Sequence, residues 1–282
     1  IIKASPFGDG KTAMKFPSGS TLIIPDHADI DFGSGDFTLE YWFLTTSSAR
    51  QFHFGFESDQ HLGLDYDGTD QVNFWASSTG SGWDISHADG GGNGFGTQNV
   101  GLNTWYHAAI VRYGTSWKTY INGEINTSIT SSSALTPYNS EDLRFGRHGS
   151  STSYPFIGYM DEIRVVKGVA VYTGNFTVPT ARFSGSGQSA GVSGSNIVAV
   201  TAAQTKLLIH SNLSATSTTF ADSATTGTTH VPAASSVIHS TLYNHPTEST
   251  VVPSAMAWPA SGKQFGTSGC YFDGTGDYLY VN

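Results

Sequence analysis

Short stretches in which apolar and polar residues alternate recur along the chain, and each predicts a β-strand. The clearest covers residues 37–43, where Phe37, Leu39, Tyr41 and Phe43 would share one face. No segment shows sustained helical spacing of apolar residues behind a capping residue. Many short strands without helices predict an all-β fold built from two antiparallel sheets. The further predicted strands lie at 105–112, 117–121, 143–146, 160–166 and 205–210.

Turn-forming residues separate these strands. Asn122 and Gly123 follow the 117–121 stretch, and this dipeptide is the strongest short hairpin signal. The chain has 33 glycines, 13% aromatic residues and only 12% charged residues. This balance is typical of an ordered β-rich protein with many turns. A hydrophobic content of 38% argues against intrinsic disorder, because there is ample apolar surface to bury.

Charge and cysteine content exclude several classes of protein. The net charge of −9 argues against a nucleic-acid partner, which would need a basic face. A single cysteine, Cys270, excludes a disulfide scaffold and a cysteine-based zinc site. No apolar run approaches the roughly 20 residues that span a bilayer, so we expect no membrane span. The chain opens at Ile1 without Met, and we expect a processed, truncated or partial chain.

Two regions depart from the regular pattern of strands and turns. Residues 184–204 are rich in Gly and Ser and predict a flexible linker. Segments 6–22 and 264–279 resemble each other: a Phe-Gly pair, an apolar strand, a Phe and a Gly turn recur in the same order. Self-similarity of this kind predicts repeated structural units.

An ordered set of motifs resembles the laminin-G-like, concanavalin-A-like lectin-glucanase jelly rolls, which are related to pentraxins. The resemblance implies a jelly-roll β-sandwich with its sheets antiparallel. The motifs are the strand at 205–210, Phe-Asp-Gly-Thr-Gly-Asp-Tyr at 272–278, the strand that begins at 35, Trp-Tyr-His-Ala-Ala-Ile-Val-Arg at 105–112, Trp-Lys-Thr-Tyr-Ile-Asn-Gly at 117–123, and the closing segment 156–165.

The motif order is rotated relative to the resembling family, because the usual opening strand lies at 205, after the usual closing segment. We therefore predict three parts. Residues 1–183 form a sandwich that lacks its opening strands, 184–204 form the linker, and 205–282 supply the opening strands of a second or completing unit. Three explanations remain open: a window of a longer tandem array, self-completion of a permuted sandwich, or strand donation to the next subunit.

Enzymatic residues are not evident. Glycanases of the resembling fold need paired carboxylates that point into a cleft. Glu40 stands alone in its strand, and Asp161 and Glu162 are adjacent, so they should point to opposite faces. We expect that the protein is not an enzyme and requires no cofactor.

A structural calcium ion is the one metal that the resemblance suggests. Calcium prefers carboxylate and carbonyl oxygens. Asp161 and Asp273 match positions at which the family holds such oxygens. Pro17 and Thr21 stand where Asp273 and Asp277 stand in the other repeat, which puts a site in the first unit in doubt.

Glycan binding is the usual role of this fold when it binds a ligand. The 76–101 loop carries candidate ligand-binding residues, with the loops of Tyr138 and Tyr154 as possible neighbours. Exposed aromatic side chains in such a loop would suit a sugar. The competing interpretation is that Trp83 and Phe95 fix the loop to the sandwich. The candidates are Trp83, Asp84, His87, Asn93 and Phe95.

The sequence favours a non-enzymatic structural or adhesive module of a surface fibre, repeat adhesin or viral appendage. Its expected partners are copies of itself, head to tail, or adjacent repeats. The alternative is a carbohydrate-binding, lectin-like module with its site around 76–101 and glycans as partners. Both hypotheses place the protein outside a cell, on a cell surface or on a virion surface.

Overall fold

The computed structural model describes residues 5–57, 60–135, 141–149 and 152–240. In these ranges the regular structure is β-strand except for one 3-10 helix, Ala202–Gln204. The strands are β1 (Ala13–Phe16), β2 (Thr21–Ile24), β3 (Phe37–Thr45), β4 (Gln51–Phe56), β5 (Leu62–Tyr66), β6 (Val72–Ala76), β7 (Tyr106–Tyr113), β8 (Ser116–Ile121), β9 (Glu124–Thr130), β10 (Leu143–Phe145), β11 (Gly158–Lys167), β12 (Gly187–Gln188), β13 (Val200–Thr201), β14 (Thr205–Ile209), β15 (Ala233–Ser235) and β16 (Ile238–Ser240).

Two antiparallel sheets form a jelly-roll β-sandwich, as predicted. The larger sheet has the order β16-β1-β11-β3-β7-β8-β9, with β14 also paired to β11. The smaller sheet has the order β15-β2-β10-β4-β5-β6. The predicted hairpin is present: Asn122 and Gly123 have φ angles of 49° and 81° and join β8 to β9.

The main core lies between the two sheets. Phe37, Leu39, Tyr41 and Phe43 of β3 all belong to it, as their alternation predicts. Their neighbours on the opposite face, such as Glu40, are also buried, so that every residue of β3 is buried. The larger sheet must therefore be covered on its outer face as well.

The segment that follows β11 supplies this cover. Residues from it, including Val171, Tyr172 and Phe176, pack on Ala109 and Tyr120 of the larger sheet as a second apolar cluster. We call residues 168–200 the covering segment. It includes part of the predicted linker, and β12 and β13 pair within the 184–204 range.

Strands from residues 205–240 pair with strands of the 1–183 region in the same chain. β14 lies beside the second half of β11, in line with β1 beside the first half. β15 pairs with β2, and β16 pairs with β1. The chain divides into Ile1–Tyr243 and Asn244–Asn282, and every described residue belongs to the first unit. The second unit lies outside the described residues, so the predicted domain boundaries stay a prediction.

The described residues contain no helix long and apolar enough to span a membrane.

Candidate functional site

The outer face of the smaller sheet carries two large aromatic side chains. Val72 and Phe74 of β6 point into the core. Successive side chains of a strand point to opposite faces, so Trp75 faces outward. Phe52 of β4 faces the same side because the pairing of β4 with β5 is irregular between Phe52 and Phe54. An extra residue in one strand reverses the side to which the following residues point.

An arginine lies over these rings. The Cζ of Arg50 is 5.5 Å from the Phe52 ring centroid, 5.4 Å from that of Trp75 and 5.0 Å from that of Tyr154. Asp65 Oδ2 accepts a hydrogen bond from Arg50 Nε at 2.6 Å, and Asp65 Oδ1 accepts one from Trp75 Nε1 at 2.7 Å. Burial raises the pKa of Asp65, and Arg50 and Trp75 offset part of that rise.

Three loop residues extend this surface. The ring centroid of Trp83 lies 5.3 Å from that of Trp75 and 6.0 Å from that of His148. The ring centroid of His148 lies 4.2 Å from that of Phe52. Tyr154 is 46% exposed. We call this set the aromatic platform; it consists of Arg50, Phe52, Trp75, Trp83, His148 and Tyr154.

A glycine allows the His148 loop to reach the sheet. A Cβ atom on Gly55 of β4 would lie 2.9 Å from the backbone nitrogen of Gly149 and 3.5 Å from the Cα of His148. Any larger residue at position 55 would push this loop outward, so Gly55 sets the height of His148 over the sheet.

Of the five predicted ligand-binding residues, Trp83 joins the platform, whereas Asp84 holds its own loop. Asp84 Oδ1 accepts hydrogen bonds from the Ser78 N–H at 2.8 Å and from Ser77 Oγ at 3.1 Å. Burial acts to raise the pKa of Asp84, but hydrogen bonds from the hydroxyl and N–H of Ser78 and from the hydroxyl of Ser77 outweigh it and lower the pKa.

His87 and Asn93 also bond within the loop. His87 Nδ1 lies 2.6 Å from Asp89 Oδ1. Asn93 donates from Nδ2 to the Ile85 carbonyl at 3.2 Å and accepts from the His87 N–H at 3.3 Å. Both side chains therefore fix the backbone that carries Trp83.

Phe95 lies at a different place, the edge where β6 approaches β9. The Phe74 N–H donates to the Gly94 carbonyl at 2.8 Å, and Thr127 Oγ1 donates to the Phe95 carbonyl at 3.1 Å. The Phe95 side chain is 43% exposed and makes no ring contact with the platform in the part of the chain that the structure describes. The prediction that these five residues share one ligand site stays untested.

Asp161 and Glu162 do not point to opposite faces, and that expectation was wrong. Arg182 Nη2 lies 3.0 Å from Asp161 Oδ2, and Arg182 Nη1 lies 2.7 Å from Glu162 Oε1. Glu162 has a φ of 54°, and the pairing of β11 with β3 is irregular between Asp161 and Arg164. This irregularity turns both carboxylates toward one guanidinium.

The groups that surround Asp161 are those of an ion pair rather than those of a calcium site. Asp161 is fully buried, and its Oδ1 also accepts hydrogen bonds from the N–H groups of Glu162 and Ser211 at 2.9 and 3.0 Å. Burial raises the pKa of Asp161, and Arg182 offsets part of that effect. Arg182 supplies the positive charge that a calcium ion would supply. Asp273 lies outside the described residues, so calcium stays a prediction.

Sequence reasoning missed most of the platform. Trp75 carried a usable signal, because it is the one large apolar residue out of phase with the core positions of β6. Phe52 was hidden by the irregular pairing of β4, and Arg50 and His148 come from loops whose positions no local pattern fixes.

Several solved structures are similar to this chain in fold. A protein from Bacteroides ovatus, described as a proposed carbohydrate-binding protein, has a similar structure with a TM-score of 0.54 and 17% identity. The match covers 82% of this chain and 60% of that protein's length. Domain 4 of an extracellular arabinanase from Geobacillus stearothermophilus, solved with arabinotriose, has a TM-score of 0.40 and 19% identity over 55% of this chain and 70% of that one. A heptameric pentraxin from Limulus polyphemus has a TM-score of 0.40 and 10% identity over 55% and 75% of the two chains.

The likeness to the Bacteroides ovatus protein shows the fold. None of the curated proteins matches the chain. A laminin G family model, described as the concanavalin A-like lectin/glucanases superfamily, matches residues 16–170, more than half of the chain. The chain belongs to the concanavalin A-like lectin/glucanase superfamily.

Proposed function

We propose that this chain is a non-enzymatic, extracellular carbohydrate-binding module whose site is the aromatic platform. The observation that carries the proposal is Arg50, which Asp65 fixes among aromatic rings on the outer face of the smaller sheet. Binding sites for small molecules combine aromatic surface with a few well-placed polar groups.

The platform has the chemistry that a sugar ring needs. The apolar C–H face of a pyranose can pack on the rings of Tyr154 and Trp83. Arg50 bonds Asp65 through Nε, which leaves its terminal NH2 groups as donors for sugar hydroxyls. Asp65 neutralises this arginine and the chain has a net charge of −9, so we propose a neutral glycan rather than an acidic one.

Two further observations support a binding rather than a catalytic role. The carboxylates of Asp161 and Glu162 are buried against Arg182, and Glu40 is buried against Arg164, so none of them is placed to reach a substrate. The fold shared with the Bacteroides ovatus protein is compatible with carbohydrate binding. The structural and adhesive role stays a prediction. In the described structure, strands within residues 205–240 pair with strands of their own chain.

Glycan screening of the full chain tests the proposal. We expect binding to one class of neutral oligosaccharide, with affinity then measured by calorimetry. Tyr154→Ala should lower that affinity at least tenfold, because it removes an exposed stacking surface. The matched control is Tyr113→Ala, since Tyr113 is 62% exposed at the end of β7 in the larger sheet.

Two results would overturn the proposal. The absence of any glycan ligand would remove the function itself. Equal losses in Tyr154→Ala and Tyr113→Ala, or no loss in either, would remove the platform as the site.

A further inference from the structure

A second cluster of polar side chains lies away from the aromatic platform, where the loop after β2 meets the segment before β15. His27 and Asp29 come from that loop, and His230 comes three residues before β15. Ligand atoms of the three residues lie within 4.8 Å of one another.

The pairing of β2 with β15 brings these residues together. Ile23 is opposite Ala233 and Leu22 is opposite Ala234. The same antiparallel register, continued beyond the strand ends, places position 230 opposite position 26. His230 therefore enters the neighbourhood of His27 because of strand register.

The distances suit a metal ion. His27 Nδ1 lies 3.2 Å and His230 Nε2 lies 3.6 Å from Asp29 Oδ2. Two ligand atoms bound to one tetrahedral zinc ion lie roughly 3.3 Å apart, given bonds of about 2.0 Å. Ligand atoms at these separations need only small movements to bind one ion.

The burial of His230 also favours a bound ion. His27 Nδ1 accepts a hydrogen bond from the Asp29 N–H at 3.1 Å, and zinc binding at Nδ1 would replace this bond. The His230 side chain is 3% exposed, and its Nε2 has no hydrogen-bond partner among the described residues. A buried polar atom without a partner is costly unless a ligand meets it.

The backbone around His230 is also held in place. Asp222 Oδ2 accepts a hydrogen bond from the His230 N–H at 3.2 Å, and Asp222 Oδ1 accepts one from the Leu208 N–H of β14 at 3.0 Å. Lys206 lies 3.6 Å from Asp29 Oδ1 and so engages the oxygen that the histidines do not face. This leaves Oδ2 as the ligand atom.

We propose that His27, Asp29 and His230 bind a zinc ion that fastens the 205–240 segment to the first part of the sandwich. Two imidazoles and one carboxylate are ligands that zinc favours, and water would complete the tetrahedron. The ion would join two chain segments about 200 residues apart in sequence. This proposal is independent of the glycan site.

Zinc titration of the full, untagged chain tests it. After treatment with chelator, we expect one zinc ion to bind per chain by calorimetry and to raise the melting temperature, because a ligand that binds only the native state stabilises it. Zinc should also slow amide exchange in β14 and β15. Cobalt should give the visible absorption of a tetrahedral site.

Three variants give the proposal its controls. His230→Asn and Asp29→Asn should lose both the binding and the thermal shift. Asp29→Asn keeps the shape of the side chain, so it tests zinc binding even if His230→Asn does not fold. His87→Asn should keep both effects, because His87 belongs to a surface pair with Asp89 elsewhere.

The outcomes separate zinc from a simple ion pair. If the cluster were only an ion pair of protonated histidines, the melting temperature would respond to pH and not to zinc. That result, or an equal zinc effect in His230→Asn and the unaltered chain, would overturn the proposal.

Discussion

The two outer faces of the sandwich each hold a buried carboxylate bonded to an arginine, and they differ in what lies above the pair. On the larger sheet, Arg164 Nη2 lies 2.6 Å from Glu40 Oε1, and both side chains are inaccessible. On the smaller sheet, Arg50 Nε lies 2.6 Å from Asp65 Oδ2, and the Arg50 side chain is 36% exposed.

The covering segment explains the difference. Tyr172 donates to Glu40 Oε2 at 2.7 Å, and the Phe183 ring lies 3.8 Å from Arg164 Cζ, so the larger sheet's pair is enclosed. On the smaller sheet, the rings beside Arg50 include the exposed Tyr154. An arginine–carboxylate pair that is covered, as on the larger sheet, is part of the packed interior. A similar pair that is not covered, as on the smaller sheet, presents hydrogen-bond donors to solvent.

The largest expected effect comes from breaking the enclosed pair. Arg164→Met should lower the free energy of unfolding by about 3–5 kcal/mol, because it leaves Glu40 buried with less compensation. Arg50→Met should cost roughly 1–2 kcal/mol, because Asp65 keeps its bond to Trp75 and can take up a proton. Chemical denaturation of both variants measures the two losses. Equal losses would show that the cover does not distinguish the faces.

The acid dependence of stability should separate the same two carboxylates. Burial acts to raise the pKa of Glu40, but Arg164, His107 and Tyr172 outweigh it and lower the pKa from 4.5 to about 2. A lowered folded-state pKa gives stability that is complete above pH 4.5 and is lost as the pH falls toward 2. The shift corresponds to about 3 kcal/mol.

Glu40→Gln should therefore flatten the acid side of the stability curve between these pH values. Asp65→Asn should not, because burial raises the pKa of Asp65 and its native state takes up a proton more readily than the unfolded state. Unfolding curves at a series of pH values provide the measurement. A flattening of similar size in both variants would contradict the contrast between the faces.

The core of this arrangement could be predicted from the sequence, whereas its outer faces could not. The inward residues of β3 follow from alternation, and the Asn122-Gly123 turn follows from backbone preference. The irregular pairings in β4 and β11 decided where Phe52 and Glu162 point. Such irregularities depend on packing between distant segments, which no local pattern records.

One aromatic residue above each sheet extends the contrast, and the one above the smaller sheet, Trp83, should give the smallest stability effect and the most informative result for function. Phe176 of the covering segment is 8% exposed and stacks on Tyr172 with ring centroids 3.5 Å apart. Phe176→Ala should cost about 3 kcal/mol, as for other buried aromatic residues. Trp83 is half-buried and meets Trp75 edge to face, so Trp83→Ala should cost about 1 kcal/mol.

Glycan affinity should show the reverse order. Trp83→Ala should weaken binding at least tenfold, because the Trp83 ring forms part of the proposed platform, whereas Phe176→Ala should leave the affinity of the folded protein unchanged. Thermal unfolding and calorimetry on the same samples give both values. If Trp83→Ala lost stability and affinity in equal measure, Trp83 would act by fixing the 76–101 loop rather than by contacting the sugar. The exposed Tyr154 and Arg50 would then have to provide the binding surface without it.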